Sequence, residues 1–273
     1  MRNRLLGVGI AAPILPATAL ILSAAEALRT APAASEEAIR RARGLIQVLS
    51  AFLFDPSPYA PLASIVFSIL YAGATVALIY YFFEKTQAPE ILFIALFALS
   101  LAAEGFRIAV PLAMARNWPP AYVVGAARAL LFGRFFGLFA LFAAGLYAAG
   151  LEYQKHGRVV IIVAAAAFAI AAGAPVDGLS WDSSFSPIPG YAFMLEIVQI
   201  GVAAIAVVNF LVAAYSRGTA DFAHVALGCV LVVIGRDGLI RADTWLALPL
   251  GAAAIASGTV LAAAKVHRFY LWL

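Results

Sequence analysis

The chain reads as an all-α protein: a polytopic transmembrane helix bundle of about eight spans, with one amphipathic helix at the membrane interface. Three observations predict this. Residues Pro56 to Phe83 run for 28 positions without a charged side chain. Similar stretches recur along all 273 residues. Hydrophobic residues make up 64% of the chain and charged residues 12%, about half the charged share of an ordinary soluble domain. A bilayer's hydrocarbon core is about 30 Å thick, so roughly 20 apolar residues at 1.5 Å rise cross it as a helix. In lipid the backbone must satisfy its own hydrogen bonds, which leaves a helix bundle as the solution.

Eight hydrophobic segments fall at about residues 5–27, 60–83, 89–115, 120–150, 158–177, 190–215, 219–240 and 244–266. With the first segment removed as a signal peptide, seven remain. Arg2 and Arg4 before an apolar stretch ending in Ala25-Glu26-Ala27 resemble such a peptide, whereas the length and Pro13 and Pro16 favour an uncleaved helix. Pro58, Pro61, Pro89, Pro119 and Pro120 sit near segment starts, where a missing amide donor costs nothing. Three regions follow: 1–28, the first segment; 29–58, an amphipathic helix and linker; and 59–273, a seven-helix bundle.

Residues 35–54 carry a different pattern. Ser35 is an N-cap candidate, followed by Glu36 and Glu37 in the first turn, where the helix dipole favours acids. Ile39, Ala42, Leu45, Ile46, Leu49, Phe52 and Leu53 recur at helical spacing, with Arg40, Arg41, Arg43 and Gln47 opposite. Such a helix lies along the membrane surface with its arginines near lipid phosphates.

The two ends of the bundle, A (amino-terminal side of the first segment) and B, carry nearly equal numbers of basic residues. The basic start of the chain and a loop, Gly178–Gly190, without lysine or arginine place end A in the cytoplasm. The expectation is a multi-pass protein of a bacterial cytoplasmic (inner) membrane with the carboxyl terminus inside. The formal charge of +4 reflects topology signals and anionic lipid, and no basic run interleaved with aromatics points to nucleic acid. Membrane lipids are the expected partners, with a membrane protein or a second copy of the chain as further ones.

Ionisable residues at membrane depth are the candidate functional groups, since each costs roughly 2.5–3.5 kcal/mol at a helix centre on insertion scales. Glu104 and Arg107 are an i,i+3 pair on the third segment; Arg128 and Arg134 lie on the fourth. Measured from the turn at Arg116–Pro120, Glu104 is roughly 18 Å deep and Arg134 roughly 21 Å. An antiparallel hairpin would therefore set one against the other. Arg107 and Arg128 share a shallower level and would repel unless an acid joins them, for which Glu196 is the candidate. Asp177, Asp182, Arg236 and Asp237 belong to the same half. Two readings follow: a polar vestibule open toward end B that binds a small ligand, or structural ion pairs that fix helix register. Snorkelling to headgroups is the further reading for Arg128 and Arg236.

Other chemistry finds no support. Cys229 is the only cysteine, which excludes a disulfide or a thiolate zinc site within one chain. His156, His224 and His267 lack metal-ligand spacing, and no G-x-S-x-G or Walker A pattern occurs. Lys85, Lys155 and Lys265 all fall at end A, so a retinal Schiff base is not expected. No catalytic residue, metal or cofactor is assigned. The function expected is a receptor-like or scaffold component that binds a small ligand or partner through the outer vestibule. The alternatives are a small-solute transporter and a lipid-modifying enzyme.

Overall fold

A computed structural model describes residues 52–83, 88–151, 155–176 and 180–271. The expected first span lies outside the described residues, as do Arg40, Arg41 and Arg43 of the surface helix and Asp177. Among the described residues the regular elements are all helical: α1 (Tyr59–Phe82), α2 (Pro89–Ser100), a 3-10 stretch (Leu101–Ile108), α3 (Ala109–Arg116), α4 (Pro120–Ala148), α5 (His156–Gly173), α6 (Ala192–Arg217), α7 (Ala220–Ile240) and α8 (Ala247–Leu271). With α2, the 3-10 stretch and α3 forming one continuous rod, seven helical spans are long and apolar enough to cross a membrane. The protein is a multi-span membrane protein built as a helix bundle.

Prolines and left-handed residues punctuate it. Pro89 and Pro120 occupy the first position of α2 and α4, where a helix has no use for the amide they lack. Asn117 (φ 51°) ends α3 and Gly218 (φ 63°) ends α6, each in the left-handed conformation that stops a helix. Consecutive spans therefore run up and down.

Helix α4 is the central element and packs against α2, the 3-10 stretch, α3, α5 and α6. Glycine makes this possible. A Cβ on Gly133 would overlap Ala103, and one on Gly137 would overlap Ser100. The G-R-F-F-G stretch is thus spent on packing within the chain, against the 3-10 stretch and the end of α2. Helices α7 and α8 are the most intimate pair. A Cβ on Gly228 would stand 2.8 Å from the Gly258 carbonyl, and one on Gly258 2.8 Å from the Val232 amide. Helices α5 and α6 form the periphery, with Ile161, Ile162 and Phe168, and Phe193, Met194 and Ile200, turned outward as lipid-facing surface requires.

Loops at end B are tied together. The Ser57 amide donates to the Asp243 carbonyl at 2.8 Å, the Leu246 amide to Leu53 at 3.1 Å, and the Ser183 hydroxyl to the Asp243 carboxylate at 3.0 Å.

Candidate functional site: an arginine-rich vestibule at end B

The site begins with a change of winding. Three residues per turn, rather than 3.6, stack side chains at i and i+3 directly above one another. In the 3-10 stretch the buried residues are Leu101, Glu104 and Arg107, every third position. The tighter winding aims one acid and one arginine at the same neighbours, α1 and α4. The sequence reading has this span as one uniform helix, which would have set the two side chains about 60° apart.

Glu104 is the hub. Arg134 on α4 donates from Nε to its Oε1 at 2.8 Å and from Nη2 to its Oε2 at 2.9 Å, a two-pronged pair. Arg107 Nη1 lies 3.6 Å from Oε2. Arg134 also donates to the Ser186 hydroxyl at 2.7 Å. Arg107 is fully buried and donates from Nε to the Ser184 carbonyl at 2.9 Å, with Nη2 directed at the same oxygen. Its Nη1 reaches the Ser64 hydroxyl at 3.3 Å.

The loop that supplies Ser184 and Ser186 is itself folded around an acid. Asp182 Oδ1 accepts from the Ser184 amide (2.9 Å), the Ser184 hydroxyl (2.7 Å) and the Ser186 amide (2.8 Å). Phe185 takes a positive φ of 59° at the apex, and Trp181 bridges Pro187. A loop with few apolar anchors thus becomes a fixed wall, sealed to the bundle by two arginines.

Arg236 on α7 completes the buried set at 4% exposure. It donates to the Arg134 carbonyl at 3.3 Å and to Gln199 Oε1 at 3.4 Å. Between α4, α6, α7 and the loop lies a cavity of about 500 Å³. Arg134, Arg236, Gln199, Ser186 and Asp182 form its polar side, and Leu131, Leu138, Leu195, Ala203 and Val233 much of its apolar side. At the mouth, Arg241 bridges Glu196 (2.5 Å) and Asp237 (3.2 Å). The hydrogen bond that Arg241 donates to Glu196, with the Asp237 charge behind it, holds the guanidinium pKa above its ordinary value.

Of the residues singled out from sequence, Glu104, Arg107, Arg134 and Arg236 converge on one buried core, and Asp182, Glu196 and Asp237 line the cavity. Two pairings differ from expectation. Arg128 is exposed on α4 and takes no part, and Glu196 joins Arg241 in place of Arg128. The reason is rotational: Arg128 lies six residues before Arg134, on another face of the helix. Arg107 needs no acid from α6, because Glu104 and the Ser184 carbonyl already take up its donors.

A second cluster, at end A, is absent from the sequence reading. Glu90, fully buried in the first turn of α2, accepts from the Tyr270 hydroxyl at 2.9 and 3.2 Å and has Arg217 Nη2 3.7 Å away. Arg217 lies over the Phe222 and Phe269 rings, 4.8 and 5.1 Å from their centroids, and donates to the Tyr147 carbonyl at 3.2 Å. Lys265 pairs with Asp221 at 3.0 Å. The available signal was a lone acid at the start of an apolar span. Its partners arrive from α6 and α8, and no spacing rule reaches that far.

Among the described residues, no three His, Cys, Asp or Glu side chains are grouped to hold a metal ion. No protein-family model and no curated protein matches the sequence.

Proposed function

We propose that this membrane protein is a receptor-like or scaffold component that binds a small ligand through the vestibule at end B, with end B outside and the carboxyl terminus in the cytoplasm. One observation carries the reading: a cavity of about 500 Å³ whose apolar walls carry a few converging polar groups. That volume falls within the roughly 300–1,000 Å³ typical of small-molecule sites. Its polar groups are held by buried partners, so they are oriented before a ligand arrives. A transporter is the second reading. It is favoured by the contrast between the open vestibule and the cluster of Glu90, Arg217 and Tyr270 that ties the helices together at end A.

The test is a thermal-shift screen of the full chain against lipids and small metabolites, alongside Ala203→Phe, which places a ring in the cavity. A binder should stabilise the wild type by several degrees and leave the filled variant unmoved. Equal stabilisation of both would sink the vestibule reading. Accumulation of the binder inside proteoliposomes would decide for the transporter.

A further inference from the structure

Among the described residues, the internal pairings of the vestibule leave Arg236 without a carboxylate of its own. Three arginines, Arg107, Arg134 and Arg236, surround a single fully enclosed acid, Glu104, whose two oxygens are taken by Arg134 and approached by Arg107. Arg236 is buried, at 4% exposure, yet its hydrogen bonds are the long ones, 3.3 and 3.4 Å, and both go to neutral acceptors. No carboxylate among the described residues lies within ion-pair distance of it. The nearby acids are committed elsewhere: Asp182 Oδ1 to three loop donors, Asp237 to Arg241. A buried guanidinium costs several kcal/mol to desolvate unless an anion meets it, and this one lies in the wall of a cavity. Beside it the surface turns apolar, along Leu131 and Leu138 of α4, Leu195 and Ala203 of α6, and Val233 of α7.

We propose that the vestibule takes an amphiphile: one anionic group, carboxylate or phosphate, seated on Arg236, and an apolar chain laid against this wall. The inference rests on the ligand-binding reading above and names the class of ligand. Gln199 serves as the neutral neighbour that holds the guanidinium in place, and the apolar wall supplies the part of the affinity that a free inorganic anion lacks. Two sources share this chemistry: a bilayer lipid with an anionic head, and a soluble medium-chain acid or phosphate ester entering from end B.

The test uses the full chain in nanodiscs of a zwitterionic lipid, with decanoate, decanol and inorganic phosphate as probes in a calorimetric titration. Decanoate should bind saturably, and decanol and inorganic phosphate at least about 10-fold more weakly, because each supplies half of the chemistry. Arg236→Gln should lower decanoate affinity by about 10-fold or more and leave decanol unchanged, with Arg236→Lys falling between. Gln199→Ala guards against a misfolded Arg236 variant, since it leaves the charge in place and should lower decanoate affinity only about 2- to 5-fold. Replacing part of the disc lipid by phosphatidylglycerol separates the sources. Competition with decanoate supports the proposal in its lipid form, and absence of competition supports the soluble form.

Equal affinity for decanoate and decanol, or an Arg236→Gln variant that folds and binds decanoate normally, would overturn the anionic class. If a binder from the thermal screen is still lost in Ala203→Phe, only that class falls and the vestibule remains. If no binding responds to Ala203→Phe, both fall together.

Discussion

Glu104 and Arg134 meet through two parallel hydrogen bonds of 2.8 and 2.9 Å across the interface between the 3-10 stretch and α4. They stand 30 positions apart in the chain, on opposite arms of a hairpin that turns at Asn117–Pro119. Glu104 is buried and Arg134 nearly so, so the pair carries large desolvation costs that only its geometry offsets.

Removing the acid should therefore be severe. Glu104→Gln leaves three arginines without their common acid, and breaking a buried pair of this kind costs about 3–5 kcal/mol. Arg134→Met should cost a similar amount. The double variant should be less damaged than the sum of the two, with a coupling of about 1–3 kcal/mol, read from unfolding in mixed micelles. Additive effects would mean the pair does not hold the bundle.

The loop at end B should depend on a single oxygen. Asp182→Ala removes the acceptor of three hydrogen bonds and loosens the Ser184 carbonyl from Arg107. Residues 180–190 should then exchange amide hydrogens about 10-fold faster or more, with a stability loss of about 1–3 kcal/mol. Asp182→Asn, which keeps an oxygen in place, should recover much of the protection.

Helix α7 offers a contrast with α4. A Cβ at Gly235 would overlap the Ile255 amide and stand 2.8 Å from the Gly251 carbonyl, so Gly235→Ala must push α7 and α8 apart and should cost about 2 kcal/mol or more. Gly125 on α4 has nothing within 4 Å of that position. Gly125→Ala should be neutral or stabilising by up to about 1 kcal/mol. Melting temperatures of the two variants in one detergent decide the matter.

Sidedness has a direct readout. Ser183 in the end-B loop and Arg268 near the end of α8 are both exposed, whereas Cys229 is buried. In a Cys229→Ser background, a membrane-impermeant maleimide added outside cells should label Ser183→Cys and spare Arg268→Cys until the membrane is opened. Labelling of both from one side would require an even number of spans between them, in place of the three formed by α6, α7 and α8.

The bundle was legible from sequence because apolar runs and their proline boundaries are local properties. The match of Glu104 to Arg134 was legible for a related reason. A short turn fixes the register of an antiparallel hairpin, so depth can be counted outward from it. What could not be counted was rotation. Whether Arg128 or Arg241 would meet Glu196 depends on how helices turn about their own axes, and hydrophobic all-round helices carry no stripe to set that angle. The 3-10 winding was equally hidden, since its partners lie on α1, α4 and the end-B loop, and no local spacing marks it. Glu90 escaped notice because both its partners lie on helices distant in sequence.

The tight winding between Leu101 and Ile108 also has a mechanical meaning. Over eight residues, 3-10 geometry turns about 160° further than an α-helix and rises about 4 Å more. The contacts of Glu104 and Arg107 keep this stretch wound, like a catch on a screw thread. Were those contacts surrendered to another charged group, relaxation to ordinary helix would swivel α3 by nearly half a turn and draw the Asn117 turn toward the bundle's interior.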